Sequence, residues 1–270
     1  TDPSIPKNSG CFRPIKIIAP RGTVVNVDYP APEVGGNTET HPRIAGVVIG
    51  ALAQAAPTRA MAGEGGTHLN FVFGGHDPKH DEYFACYDLE AVGWGARAHA
   101  DGNDATDSIN GNCRVMPVEV FETRYPWLTE EYRLRADSGG AGRQRGGLGT
   151  CKIYRCLDTE ITASQLTDRH QHQAYGLNGG LAGAAGMTYY RASDDSAWQT
   201  MVEAFAKRST SKWSNVTFKP GSRVQILTPG GGGYGDPRMR DAALLAADVA
   251  DGFVSAEAAQ RDYGISGEQA

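Results

Sequence analysis

The chain has 270 residues, 35 of them glycine, and a formal net charge of −5. This length can bury a substantial core, and the glycines follow no collagen-like period, so we expect a loop-rich globular protein. The net negative charge excludes the basic footprint expected of a protein that binds nucleic acid or an anionic membrane surface.

Sequence features related to the cellular compartment favour the cytoplasm. The longest apolar stretch, residues 47–56, is interrupted by Gly50 and Gln54 and is too short to span a bilayer. The first residues show no basic segment followed by an apolar one, which would be typical of a secretion signal. The five cysteines lack C-x-x-C spacing, which argues against a disulfide framework or a structural zinc site.

The first third of the chain predicts two strands and one helix. Residues 13–20 and 24–27 have the composition of short strands bounded by proline and a turn. Over residues 43–56 the apolar side chains recur at helical spacing, with Pro42 in the first turn and Pro57 after the end. Gly46 and Gly50 lie inside this helix and cost roughly 1 kcal/mol each relative to alanine. Such a cost indicates that another part of the chain packs closely on that face.

The middle of the chain alternates strands with polar loops. Residues 69–73, 83–90 and 132–135 predict strands, and residues 76–81 predict a loop. Later strands are predicted at 152–157, 160–167 and 187–191, and as two segments around the Pro220-Gly221 turn. Residues 242–250 and 255–263 predict two short helices, the second with Ser255 as N-cap. The fold class is therefore α+β: a β-rich mixed domain over residues 1–270, with glycine-rich turns on one side and short C-terminal helices.

Residues 137–149 form the most unusual stretch, with six glycines around Arg143 and Arg145. Successive backbone N–H groups of such a segment can bind an anion, and arginine adds a planar charged fork. A tight solvated turn between two strands explains the same residues equally simply. Both interpretations stay open at this point.

No motif in the sequence carries a complete reaction. His76 and His80 could bind a divalent cation, but Pro78 between them favours an exposed polar loop. His170 and His172 favour a structural role over metal ligation. The run 230–235 lacks the Gly-Lys-Ser/Thr ending of a phosphate loop, and no nucleophile elbow is present. Candidate acid/base or orienting groups lie next to tight-turn sequence: Glu39, Glu90, Asp101 and Glu119.

Taken together and in order, the glycine-containing motifs resemble the hydantoinase B family, which includes part of 5-oxoprolinase and subunits of caprolactamase, acetone carboxylase and acetophenone carboxylase. The motifs are Asn8-x-Gly10-x-x-Arg13-Pro14-Ile15, Gly35-Gly36-Asn37-x-Glu39-Thr40, Gly93-x-Gly95-Ala96, Asp101-Gly102, Pro117-Val118-Glu119, Asp137-Ser138-Gly139-Gly140-Ala141-Gly142, Arg145-Gly146-Gly147-Leu148-Gly149, Thr228-Pro229-Gly230-Gly231-Gly232-Gly233-Tyr234-Gly235-Asp236-Pro237, Asp248-Val249-x-x-Gly252 and Tyr263-Gly264. The resemblance covers essentially the whole chain and corresponds to the C-terminal half of the family domain.

The resemblance implies ATP-dependent hydrolysis of a cyclic amide such as a hydantoin, 5-oxoproline or a lactam. It places ATP and Mg²⁺ on a hydantoinase A-like ATPase partner in a hetero-oligomer. It places the ligands of a divalent metal in the half of the B-type subunit upstream of Thr1, and none in this chain. Within this chain it directs attention to Asp101, Glu90 and Glu39 as catalytic groups, and to the following substrate- or anion-binding residues: Asn37, Asp137, Ser138, Arg143 and Arg145.

Two other functions stay open. The same scaffold is found in ATP-dependent ketone carboxylases of the acetone and acetophenone type. Alternatively, this segment is structural and forms an interface while the chemistry lies elsewhere. In each case we expect the chain to be inactive alone.

Overall fold

The computed structural model describes Ser4, Pro6 and residues 8–264. The chain divides into two compact units, with the boundary between Val34 and Gly35. In the first unit the described residues form a 3₁₀ turn, Ser9–Phe12, and an isolated bridge between Thr23 and Asn26. The strands predicted at 13–20 and 24–27 are wrong. Their apolar side chains are exposed, Ile17 by 79%, and no neighbouring strand among the described residues completes a ladder of backbone hydrogen bonds.

The second unit contains two antiparallel sheets. The four-stranded sheet has the order β2-β1-β5-β8, formed by Glu82–Asp88, Asn70–Asp77, Ile161–Leu166 and Lys212–Phe218. The five-stranded sheet has the order β3-β4-β9-β6-β7, formed by Trp127–Leu134, Thr150–Cys156, Arg223–Leu227, Met187–Arg191 and Gln199–Thr200. Each strand predicted in this unit overlaps an observed strand, although β3 and β8 begin well before the predicted segments, at Trp127 and Lys212. The α+β class is therefore confirmed.

An aromatic core receives side chains from both sheets. Phe71 on β1 stacks on Tyr154 of β4 at 6.3 Å between ring centroids, and Trp127 of β3 lies 5.5 Å from Phe218 of β8. These four side chains are fully buried or nearly so. Full burial stabilises by about 1.5–3 kcal/mol per large apolar side chain, so this cluster contributes strongly to holding the two sheets together.

Among the described residues, five α-helices accompany the sheets. Helix α1 is His41–Ala55 and follows directly on a π-helical turn, Gly36–Thr40. Near the end of the chain, α4 is Ala242–Ala250. Helix α5 is Ala256–Ala258, and a π-helical turn, Ala259–Tyr263, continues it. These confirm the helices predicted at 43–56 and in the tail. Helices α2, Val118–Arg124, and α3, Met201–Phe205, were not predicted. Thr200 and Glu203 form a capping box, the sequence signal that could have identified α3.

Glycine-rich segments outside the sheets pack backbone against backbone. Gly93 N–H donates to the carbonyl of Pro229 (3.0 Å), Gly147 to Trp94 (2.8 Å) and Gly231 to Gly147 (2.9 Å). A Cβ on Gly93 would lie 1.9 Å from the oxygen of Gly147, and one on Gly231 would lie 1.9 Å from that of Trp94. Glycine is required at these positions because no side chain fits between the segments.

Residues 137–149 belong to this glycine-rich region. Most of the stretch is buried: Ser138, residues 140–142 and residues 145–149. The interpretation as a solvated turn is therefore wrong, because the segment is enclosed by other glycine-rich segments of the chain. In the described part of the chain, no helix is long and apolar enough to cross a membrane.

Candidate functional site

A cavity of about 690 Å³ lies between α1, the segment that follows β5 and the start of β8. Its lining consists of Arg43, Gly46, Val47, Gly50, Asp168, Arg169, His170, Gln171, His172, Tyr175, Ser209, Ser211 and Lys212. A cavity of this size with several convergent polar groups is the usual form of a small-molecule site.

The helix α1 forms one wall because its lining residues share a face. Arg43, Gly46, Val47 and Gly50 follow i, i+3, i+4, i+7 spacing. The hydroxyl of Tyr175 would lie 2.9 Å from a Cβ on Gly50, whereas a Cβ on Gly46 would meet nothing within 4 Å. The close packing expected from the two helix glycines thus exists at Gly50, and Gly46 leaves the cavity open.

Three cationic side chains line the cavity. Arg43 lies 3.7 Å from a carboxylate oxygen of Glu64, and Lys212 donates to Asp168 at 2.5 Å. Arg169 forms no ion pair with a carboxylate of the described residues and donates through Nη1 to the backbone carbonyl of Gln173 (2.9 Å). Burial, reinforced by the positive charge of Arg43, lowers the pKa of Arg169 to about 10. The like charges of these two lining arginines therefore repel each other.

His170 is buried at the cavity wall, with 9% of its surface exposed. Its Nδ1 lies 3.1 Å from the hydroxyl of Thr210, while the buried Nε2 has no hydrogen-bond partner among the described residues. Burial, together with the charge of Lys212, lowers the pKa of His170 to about 4. The imidazole is consequently neutral at physiological pH.

Two buried carboxyl groups lie near these charges. Glu39 accepts hydrogen bonds from Thr67 Oγ1 (2.7 Å) and Asn70 Nδ2 (2.6 Å). Burial raises the pKa of Glu39 to about 8, and the charges of Asp168, Lys212 and Arg43 also act on it. Burial likewise raises the pKa of Glu64, against the opposing effect of Arg43. At neutral pH Glu39 therefore holds a proton close to the cavity.

Asp101 and Arg145, both predicted as site residues, meet in a buried ion network away from the cavity lining. Asp101 accepts from both terminal nitrogens of Arg240 (2.9 and 2.8 Å) and from the backbone N–H of Arg145 (2.7 Å). The Arg145 guanidinium contacts Asp104 at 3.0 Å and Asp248 at 3.3 Å. The donors of Arg145 are thus directed at carboxylates of this chain.

Glu90 lies in the protein core rather than at the cavity. It forms an ion pair with Lys152, which also lies 3.8 Å from Asp88. Burial raises the pKa of Glu90, and the charge of Lys152 opposes that rise. Tyr154 donates to Asp88 at 2.8 Å and completes the polar cluster.

The predicted anion-binding residues are dispersed. Asn37 is exposed in the turn before α1, and Arg143 donates to the carbonyl of Ala98 (2.9 Å). Asp137 has a left-handed backbone (φ 59°) and accepts from the N–H of Ser255 at the start of α5 (2.8 Å). Ser138 donates to Arg135 O (2.5 Å) and accepts from Gly149 N–H (3.0 Å). The contacts of Arg143, Asp137 and Ser138 hold segments of the chain together, and neither these three residues nor Asn37 lines the cavity.

The histidine pairs considered from the sequence have different surroundings. His76 contacts Asp81 at 3.0 Å and His80 contacts Asp77 at 2.7 Å, each at the surface. Among the described residues no group of three or more His, Cys, Asp or Glu side chains is arranged to hold a metal. Of the candidates from the sequence, His170 and His172 line the cavity, and Glu39 does not line it but is affected by the charges of the lining residues Asp168, Lys212 and Arg43. Sequence reasoning missed Arg43, Arg169, Tyr175 and Lys212, although an arginine on the glycine face of α1 was a usable signal.

The sequence profile described as hydantoinase B/oxoprolinase matches residues 1–237. An uncharacterized protein of Methanocaldococcus jannaschii is 38% identical over 98% of this chain and 44% of its own length. Caprolactamase subunit beta of Pseudomonas jessenii is 34% identical over 96% of this chain and 45% of its own length. The chain therefore spans less than half the length of these relatives.

Solved structures show the same fold. The ATP-dependent caprolactamase from Pseudomonas jessenii superimposes with a TM-score of 0.79 at 30% identity, over 93% of this chain and 44% of that chain. A nucleotide-free structure of acetone carboxylase gives a TM-score of 0.66 at 23% identity, over 80% of this chain and 32% of that chain. The second likeness extends to the fold alone.

Proposed function

Because the chain belongs to the hydantoinase B/oxoprolinase family, we propose that it is part of the B-type subunit of an ATP-dependent hydrolase of cyclic amides. The substrate class comprises hydantoins, 5-oxoproline and lactams. The observation that carries the proposal is the likeness to ATP-dependent caprolactamase, with a TM-score of 0.79 over 93% of this chain.

The chemistry divides between two subunits. An unstrained cyclic amide resists attack by water, and phosphorylation of its oxygen makes the carbon a better electrophile. In this proposal a hydantoinase A-like partner holds ATP and Mg²⁺ and activates the substrate. The B-type subunit opens the ring, and the divalent metal of the family belongs to the part of the B-type domain outside this chain.

The cavity beside α1 is the portion of the site that we assign to this chain. Of the three carboxylates suggested by the sequence, we favour Glu39. It is hydrogen-bonded to Thr67 and Asn70 and does not line the cavity, but the charges of the lining residues Asp168, Lys212 and Arg43 act on it. Burial raises its pKa to about 8. A protonated carboxyl can supply a proton to the departing ring nitrogen. Asp101 and Glu90 are engaged by Arg240 and Lys152 instead.

Exposed apolar residues on helix α1 support the proposal that this helix contacts the remainder of the family domain. Ile44, Val48 and Leu52 are 44%, 52% and 61% exposed on this helix. A row of exposed apolar residues on one helix favours burial against another polypeptide segment. We assign this face to the part of the B-type subunit that the relatives possess and this chain does not span.

The test is a substrate panel with the complete complex of A-type and B-type subunits. Hydantoin, 5-oxoproline, caprolactam and acetone are each incubated with and without ATP and bicarbonate. We expect ATP-dependent ring opening of one cyclic amide without bicarbonate, and no turnover by the chain alone. Bicarbonate-dependent consumption of acetone would instead identify a ketone carboxylase.

The structural alternative needs a separate measurement. Asp101→Ala and Arg145→Ala are compared with wild type for turnover and for subunit association by size-exclusion chromatography. If the variants lose association while the assembled fraction keeps full turnover, the ion network of Asp101 and Arg145 serves the subunit interface or the fold and not catalysis.

A further inference from the structure

We propose that the cavity beside α1 binds a small oxyanion: either the phosphate or carboxylate group of a small molecule, or a bicarbonate ion. The first reason is charge. Arg43, Arg169 and Lys212 line the cavity together with one acidic residue, Asp168, which is paired with Lys212, and Glu64, outside the lining, lies 3.7 Å from Arg43. An anion between the two arginines would offset their repulsion, whereas a cation would add to it.

The second reason is the set of hydrogen-bond donors without acceptors. Among the described residues, Nε of Arg43, Nε of Arg169 and Nε2 of His170 are buried and have no hydrogen-bond partner. Buried polar groups in native proteins are nearly always satisfied, and the two arginine Nε groups are donors that an oxyanion could satisfy. Nε2 of His170 is a third donor only in the tautomer in which Thr210 donates to Nδ1; in the other tautomer Nε2 is an acceptor.

The third reason is that the arginines are held in place before any ligand binds. A Cβ on Gly66 would lie 1.0 Å from Nη2 of Arg43, so the guanidinium occupies the space that glycine leaves. Arg169 is anchored through Nη1 to the carbonyls of Gln173 (2.9 Å) and His172 (3.4 Å). Preorganised guanidinium groups suit oxyanions because they present several N–H donors in a plane.

Direct binding to the chain tests this proposal without any partner subunit or ATP. Isothermal titration calorimetry is performed with sodium phosphate, sulfate, bicarbonate and acetate at constant ionic strength in sodium chloride. We expect saturable binding of at least one oxyanion, and the tightest one distinguishes a tetrahedral from a planar group. Arg169→Gln should weaken that binding at least tenfold, while Arg59→Gln, at an exposed arginine outside the lining, should leave it unchanged.

A second pair of variants changes the free volume of the cavity rather than its charge. Gly46→Leu should occlude the open cavity and abolish binding, and Gly46→Ala should retain it. If Arg169→Gln does not fold, judged by circular dichroism, this pair decides the question.

Three outcomes would overturn the proposal: no saturable binding of any oxyanion, equal binding in folded Arg169→Gln, or equal binding in Gly46→Leu. Because the assay involves neither ATP nor ring opening, its failure is distinguishable from failure of the hydrolase assignment.

Discussion

Glu39 shows how burial of one carboxyl group makes stability depend on pH. Its folded pKa of about 8 lies above the ordinary value of 4.5. Below pH 4.5 both the folded and the unfolded state are protonated there. Between pH 4.5 and 8 the unfolded state ionises while the folded state keeps its proton, so the free energy of unfolding falls as the pH rises through this window.

We therefore predict that Glu39→Gln removes part of this decline. Relative to wild type, the variant should gain roughly 2–4 kcal/mol in free energy of unfolding between pH 5 and pH 8.5, since one pKa unit corresponds to about 1.4 kcal/mol. Urea denaturation at several pH values measures the difference. Glu119→Gln, at an exposed position, is the matched control for the loss of one carboxylate. Parallel curves for wild type and Glu39→Gln would contradict the assignment of this pKa.

From the ion network around Arg145 we derive a second prediction at the scale of single residues. Arg145→Met removes a guanidinium that is 5% exposed and contacts Asp104 and Asp248. Loss of one partner from a buried ion pair destabilises by about 3–5 kcal/mol, so a large fall in the urea midpoint is expected. Arg133→Met, at an ion pair whose arginine is 55% exposed, should cost less than about 1 kcal/mol. Equal effects of the two substitutions would show that burial of the network is unimportant.

At the scale of elements, α1 combines a packing contact and an open cavity on one face. Gly46→Ala should stabilise the chain by roughly 1 kcal/mol, because alanine favours a helix and its Cβ meets nothing within 4 Å. Gly50→Ala should gain less or destabilise, because the hydroxyl of Tyr175 would lie 2.9 Å from the new Cβ. Thermal unfolding followed by circular dichroism compares the two variants. A larger gain at Gly50 than at Gly46 would contradict the described packing.

At the scale of the whole molecule, the glycine-rich region determines whether the second unit can assemble. Gly231→Ala would bring a Cβ to 1.9 Å from the carbonyl oxygen of Trp94, a backbone atom that cannot rotate away. We expect failure to fold, or destabilisation of more than about 3 kcal/mol. Gly36→Ala is the matched control, because nothing lies within 4 Å of its Cβ position. Soluble yield and urea denaturation provide the measurement, and a wild-type midpoint for Gly231→Ala would refute backbone-on-backbone packing.

Local sequence patterns were sufficient for most helices and strands of the second unit. Apolar spacing from Ile44 to Leu52 identified α1, and Ser255 identified the start of the last helical element. The same reasoning failed at residues 13–20, where strand-forming residues lack a partner strand among the described residues. Strand propensity depends on pairing and burial, which are not local properties.

The sequence by itself determined the α+β class, the position of α1 and the family, because periodicity and ordered motifs are readable without contacts. Only the tertiary structure decided which charged residues meet. Arg43 and Arg169 are 126 positions apart and line one cavity, while Asp101 and Arg240, separated by 139 positions, form an ion pair. Long-range proximity depends on how the sheets and glycine segments pack, and the polar groups then adopt the protonation and pairing that burial permits.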